Sequence, residues 1–283
     1  MDKLTFYTKV AELIAQQKKF CIATVVKTVG HTSGKIGSKA IILEDGKGLF
    51  GWVGGGCVET TVLHEALKTI KEGRSRTIYL EMEDELRGTG VPCGGSMEVH
   101  LEPVLPKKKL VLVGHGGIVE NLAKIGKILD YKVIVADPDG MFKDPSSVDQ
   151  YVTDPDLEGV EIDSNTAVIV STMHKLDHKY LKIALDKGAK YIGLIASAKR
   201  SGIVFETLLR IGVPEEQVRL ISSPAGLDIG AEKPEEIALS IFAEIISFEK
   251  GGTGKRLAEV KASQKDLREI VSEATGERVG PVC

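Results

Sequence analysis

Apolar positions change their period several times along the chain. In "MDKLTFYTKVAELIAQQKKF" they recur every three or four residues among charged ones, which predicts an amphipathic helix. "FCIATVVKTV" is rich in β-branched residues and reads as a strand. "GHTSGKIGSK", residues 30–39, reads as a loop from its Gly and Ser content. "AIILEDGKGLFGWV" reads as a hairpin, because Asp45-Gly46 is a strong turn signal between apolar runs. "CVETTVLHEALKTIKEG" returns to helical spacing and stops at Gly73, the residue type that closes helices in the left-handed conformation. "SRTIYLEM" and "SMEVHLEPV" look like strands flanking a polar loop, 82–95. This first region, 1–105, is expected to be a mixed α+β domain.

"PVLPKKK", residues 103–109, has two prolines and a charge run and is expected to be a linker. Beyond it the strands become continuously apolar. "KLVLVGHGGIVENLAKIGKILDYKVIVADPD" reads as strand, glycine turn, helix and strand, ending in an acidic residue. "TAVIVST" leads into the helix "KLDHKYLKIALDKG", and "AKYIGLIAS" into "AKRSGIVFETLLRIG". Apolar runs alternating with helices predict a parallel sheet covered on both faces. Residues 106–250 are therefore expected to be a Rossmann-like, doubly wound α/β domain, and 251–283 a polar, partly helical tail.

Composition narrows the class. The 42% hydrophobic and 27% charged shares are those of an ordinary soluble globule. A net charge of −3 offers no basic excess for nucleic acid. No apolar run approaches the length of a membrane span, and the first twenty residues lack the features of a signal peptide. The expectation is a cytoplasmic protein with reduced thiols. Its four cysteines, Cys21, Cys57, Cys93 and Cys283, form neither a disulfide framework nor a C-x-x-C pair. Cys21, inside a strand-like run, reads as a small buried hydrophobe.

In "VGHGGIV", Gly114, Gly116 and Val119 occupy the three positions of G-x-G-x-x-G. The two glycines, with Gly117 after them, allow close backbone approach to a phosphate at a helix start. Asp137, about 20 residues on, stands where an acid usually holds a ribose. The rival reading is that any doubly wound sheet needs small residues at this turn. In "GLIASAKR", Ser197 can cap a helix whose first turn carries Lys199 and Arg200. Cations disfavour a helix start unless an anion lies nearby, so an anionic ligand and a solvated charged face both stay open. Pro234 and two glutamates open the last long helix. Its preceding loop, with Gly226, Asp228 and Gly230, is expected at the C-terminal edge of the sheet.

Two cysteines sit in glycine-padded turns: "GWVGGGCVET", residues 51–60, and "GTGVPCGGSMEVH", around Cys93. Cys57 falls at a helix start, where unpaired amides and the helix dipole favour a thiolate. The glycines before it remove side chains that would obstruct a planar or phosphate-bearing ligand. Glycine is also common wherever the backbone bends, so the turns could equally be packing necessities.

Those two motifs, with "VGHGGIVENLAKI", "YIGLIASAKR" and "SPAGLDIGAEKPEEIALSIFAEII", resemble the XdhC/CoxF family of xanthine dehydrogenase accessory proteins from about residue 10 to residue 250. The resemblance implies an XdhC domain followed by a Rossmann domain. It implies a non-catalytic factor that binds the molybdenum cofactor (molybdopterin), holds it while a sulfido ligand is added, and inserts it into an apo molybdenum hydroxylase. A cysteine desulfurase is the implied sulfur source. The family's glycine–cysteine motif falls on Gly54, Gly55, Gly56 and Cys57, with Glu59 after it, and the second motif on Cys93, Gly94 and Gly95. Cys57 and Cys93 are then expected at the metal end of the cofactor, Cys57 as transient ligand or persulfide acceptor. Departures lie in the loop "VGHTSGKIGSK" and at His115 and Gly117, where the family's glycine turn differs. They bear on whether the Rossmann half prefers a nucleotide or a pterin.

Two other classes compete. An NAD(P)-dependent oxidoreductase would rest on Gly114, Gly116 and Asp137, although no proton donor stands out for it. A pure protein–protein chaperone would use the Rossmann half as a docking scaffold. A homodimer is expected because twofold assemblies are commonest.

Overall fold

The structure, a computed structural model, describes residues 2–81, 95–173 and 176–262. It divides into two compact units, 1–107 and 108–283.

In the first unit α1 (Lys3–Ala15) precedes β1 (Phe20–Gly30), β2 (Lys39–Leu43) and β3 (Leu49–Gly51). These are followed by α2 (Cys57–Glu72), β4 (Arg76–Glu81) and β5 (Gly95–Val104). Among the described residues the strands make one antiparallel sheet in the order β3-β2-β1-β5-β4. Side chains alternate across it with the period of two that a strand imposes. Cys21, Ala23 and Val25 of β1 face one way, into a core with Val58, Val62, Ala66 and Ile70 of α2. Phe20 faces the other way, with Ile41, toward Phe6 and Leu13 of α1. The β2–β3 turn is held by Asp45, whose carboxylate accepts the Lys47 N–H at 2.9 Å, while Gly46 takes φ +68°.

The 103–109 stretch is a shorter connection than its composition suggests. β5 runs on through Pro103 to Val104, and the next strand opens at Lys109. β4 pairs with β5 only as far as Leu101, whereas β1 pairs as far as Val104. One side of β5 is therefore unpaired at Pro103, and a residue without an N–H costs no ladder bond there.

The second unit continues with β6 (Lys109–Gly114), α3 (Gly117–Ile128), β7 (Lys132–Ala136) and β8 (Gln150–Val152). Then come β9 (Thr166–Ser171), α4 (Asp177–Asp186), β10 (Tyr191–Leu194) and α5 (Ala198–Arg210). Last are α6 (Glu215–Val218), β11 (Ile221–Ser222), α7 (Pro234–Lys250) and α8 (Leu257–Ala262). The strands are parallel, in the order β11-β10-β9-β6-β7-β8. Renumbered from β6, this is the 3-2-1-4-5-6 order of dinucleotide-binding sheets, and the order reverses between β6 and β9. Leu110 and Leu112 point to one face, packed under α3 and α7; Val111 and Val113 point to the other, under α4 and α5. Both faces are dry, which is why these strands read as unbroken apolar runs. Among the described residues no helix is long and apolar enough to cross a membrane.

Candidate functional site

The residues singled out by sequence fall in both units. In the first unit β3 ends at Gly51, and the Trp52 N–H donates to Lys39 O at 2.9 Å. The chain then turns into α2. A Cβ on Gly54 would come within 2.7 Å of Val58 and 3.1 Å of Ser33 Oγ. One on Gly55 would meet nothing within 4 Å. Gly56 is the N-cap at φ 61° and ψ −129°, a conformation essentially confined to glycine, with no side-chain capping bond. Cys57 is the first helical residue and Glu59 follows in the first turn. Among the described residues the opening amides of α2 thus have neither an intrahelical acceptor nor a capping side chain.

The second motif is described only from Gly95, since Cys93 and Gly94 lie outside the described residues. Gly95 opens β5 opposite Gly30. A Cβ there would stand 2.5 Å from His31 O and 2.6 Å from Val29 O. Its neighbour is the β1–β2 loop, residues 31–38. That loop also packs against the first motif, because a Cβ on Gly34 would stand 2.0 Å from Val53 O. The flanks of both glycine–cysteine motifs therefore meet the same loop, at His31 and at Ser33–Gly34.

Cys21 belongs to neither. It is fully buried in β1, and burial pushes its thiol up to about 12, so it is a core residue with no available thiolate.

In the second unit the glycine turn lies where the sheet order reverses. Gly114 has φ +112°, and a Cβ on it would stand 2.0 Å from Ser171 O, so the ends of β6 and β9 can close only over glycine. Gly116, at φ +100°, is the N-cap of α3 and has no side-chain capping bond. Gly117 lies against Pro234, at the start of α7. Val119, in the place of the third glycine, is buried in the core. The close approach of α3 to the sheet falls instead at Gly126, where a Cβ would stand 2.9 Å from Leu110 and Val133.

Asp137 is 1% exposed, and its carboxylate is turned inward on its own loop. Oδ2 accepts the N–H groups of Met141 and, at 2.8 Å, Phe142; Oδ1 accepts the Asp139 N–H at 3.3 Å and His115 Nδ1–H at 2.9 Å. A ribose hydroxyl would have to displace one of these donors. The same donors argue against a metal at His115, Asp137 and Asp139, although their ligand atoms all lie within 4.8 Å of one another. A cation beside Asp137 would confront the N–H groups already aimed at it.

Ser197 caps α5, its hydroxyl accepting the Arg200 N–H at 3.3 Å. The anion that the cations of this first turn require is Asp177, 2% exposed, at 3.2 Å from Arg200. Thr172, after β9, donates to the same carboxylate. Asp228 is exposed on the loop before α7, and that loop is anchored upstream by Glu244. The Glu244 carboxylate accepts the Gly226 N–H, the Ser222 hydroxyl and, at 2.9 Å, the Tyr191 hydroxyl. Sequence reasoning missed His115, Asp177 and Glu244 as organising residues. A signal existed for Asp177, because Lys199 and Arg200 at a helix start demanded an anion.

Comparison with known proteins follows the division into units. The model of the XdhC and CoxI family matches residues 13–81, and that of the XdhC Rossmann domain matches residues 110–245. The uncharacterized protein YqeB of Escherichia coli is 27% identical over 262 residues, covering 89% of this chain; the chain spans about half of that relative, 47%. The molybdenum cofactor insertion chaperone PaoD of Escherichia coli is 23% identical, with 87% of this chain and 88% of PaoD covered. A probable xanthine dehydrogenase component of Bacillus subtilis is 25% identical, with 90% and 99% covered. A solved structure described as a xanthine dehydrogenase from Bacillus halodurans has 22% identity and a TM-score of 0.46, covering 90% of this chain and 98% of that one.

Proposed function

This chain belongs to the XdhC and CoxI family, and from that premise we propose that it binds the molybdenum cofactor as cargo and inserts it into an apo molybdenum hydroxylase of the xanthine dehydrogenase type. The function for which PaoD is named, in a relative over most of both chains, supports this reading. The observation that carries it is the turn before α2. Bare main chain at Gly55 and the uncapped amides after Gly56 leave room and donors for a bulky anionic guest, with Cys57 placed at the same helix start.

In this proposal Cys57 supplies a soft sulfur ligand, suited to a metal already held by dithiolene sulfur. Gly54 and Gly56 fix the turn, and Gly55 leaves space beside it. Cys93 is proposed as the second sulfur. Sulfuration, with a cysteine desulfurase as donor, and assembly as a homodimer remain parts of the proposal. A nicotinamide-dependent activity is not taken up, because Asp137, on which it rested, is bonded to its own loop.

The test is retention of molybdenum through gel filtration after anaerobic incubation with the cofactor. Wild type should retain it, and Cys57→Ser should weaken retention by about tenfold or more, as expected on losing one ligand. Unchanged retention in both Cys57→Ser and Cys93→Ser would make the thiols structural and end this reading.

A further inference from the structure

The first unit holds an open cavity of about 910 Å³ between the start of α1, the end of the β1–β2 loop and the residues that follow β3. Its size is in the range of small-molecule sites. Trp52, 47% exposed, and Tyr7, 56% exposed, line it together with Ile36, itself exposed. Single exposed apolar residues are ordinary, but here two aromatic rings and an isoleucine share one concavity. Both rings have fixed bases. Trp52 is pinned through its N–H to Lys39 O, and Tyr7 packs edge-on against the buried Phe6, with ring centroids 5.4 Å apart.

Two cations, Lys3 and Lys39, line the same cavity. Among the described residues its one carboxylate, Asp2, is bonded to the Thr5 N–H at 3.0 Å and the Thr5 hydroxyl at 2.6 Å as the N-cap of α1. The wall is therefore aromatic and net basic. Trp52 also stands two residues before Gly54, on the segment that turns into Cys57, and the β1–β2 loop serves both the cavity and the glycine turn.

We propose that this cavity is the pterin subsite: a planar, phosphate-bearing heterocycle stacks on Trp52 and Tyr7, with its phosphate toward Lys3 and Lys39. The chemistry is that of aromatic platforms under flat heterocycles, where the ring faces supply the attraction and a cation takes the phosphate. The inference rests on the cofactor reading above and adds to it where the organic part of the cargo lies.

Trp52 is the chain's one tryptophan, so its emission reports on this cavity alone. The full-length protein is titrated with neopterin and with neopterin monophosphate, following Trp52 quenching and pterin fluorescence anisotropy. Saturable quenching is expected, tighter for the monophosphate. Trp52→Phe should bind within a few-fold by anisotropy, whereas Trp52→Ala and Tyr7→Ala should each weaken binding by about tenfold. Absence of saturable quenching, or Trp52→Ala binding like wild type, would overturn the proposal. So would a Trp52→Ala protein that keeps the pterin but loses its hydroxylase partner, since the face would then be a protein-docking surface. Molybdenum retained equally by wild type and Trp52→Ala would remove the subsite while leaving the cofactor reading intact. Pterin quenching in a protein that retains no molybdenum would do the reverse.

Discussion

His115 Nδ1 and Asp137 Oδ1 lie 2.9 Å apart, joining the glycine turn after β6 to the loop after β7. With Nδ1–H donating to the carboxylate oxygen, Nε2 is left for other partners. Asp137 thereby becomes a clamp between two loops at the point where the sheet order reverses. Asp137→Ala should strip the acceptor from three backbone N–H groups and from His115, at about 3 kcal/mol or more. Asp137→Asn keeps one acceptor oxygen and should cost less. Denaturant unfolding of the isolated variants measures both, and equal stability of Asp137→Ala and wild type would refute the clamp.

The glycines of the two turns should separate into structural and functional kinds. Gly114→Ala forces a Cβ to 2.0 Å from a backbone oxygen at φ +112°, so loss of several kcal/mol and of soluble protein is expected. Gly55→Ala meets nothing within 4 Å and should alter stability by no more than about 0.5 kcal/mol. If Gly55 leaves room for the cargo, Gly55→Val should keep the melting temperature near wild type yet lower molybdenum retention. Retention unchanged in Gly55→Val would show that the open space is not used.

The arrangement of the second unit was legible because a sheet covered on both faces writes itself as unbroken apolar strands, and β6, β7, β9 and β10 all show this. The edge strands β8 and β11, three and two residues long, carry too few positions for any period to register. The spacing from Gly114 to Asp137 pointed to an acid directly after β7 but was silent on the direction of its side chain. That depends on the backbone of 139–142 folding back to offer its N–H groups. In the first unit the turn at Gly54–Gly56 could be read from composition. The role of the 31–38 loop could not, because the contacts that define it run from Gly34 to Val53 and from Gly95 to His31.

Asp177 and Arg200 test the same point at a helix start. The carboxylate is 2% exposed and holds both Arg200 and Thr172, while Arg200 stands in the first turn of α5, against the positive end of its dipole. Asp177→Ala should destabilise by about 2 kcal/mol, because it takes one buried acceptor from both Arg200 and Thr172. Arg200→Ala should cost at least as much, since it leaves the buried Asp177 carboxylate with Thr172 but without this cation. A double-mutant cycle on chemical unfolding should return a coupling of about 1 kcal/mol or more; additive losses would mean that the pair is incidental.

Cys21 provides a pH-dependent prediction whose sign can be worked out. Its thiol is held up to about 12 in the fold by burial, against an ordinary value of 9.0. The group is thus neutral in the folded state over a range where the unfolded chain ionises. Its contribution is fully present below pH 9 and is lost as pH rises toward 12, at about 1.4 kcal/mol per pH unit within that window. Tyr131 and Tyr191 are raised in the same direction by burial, so the effect is read as a difference between variants. Cys21→Ala should lower stability at pH 8, by opening a small cavity, yet lose less stability than wild type between pH 9 and pH 11. In the native wild type at pH 8, iodoacetamide should leave Cys21 unmodified until denaturant is added. Rapid alkylation of Cys21 in the folded protein would show that its thiol is accessible and would undo the argument.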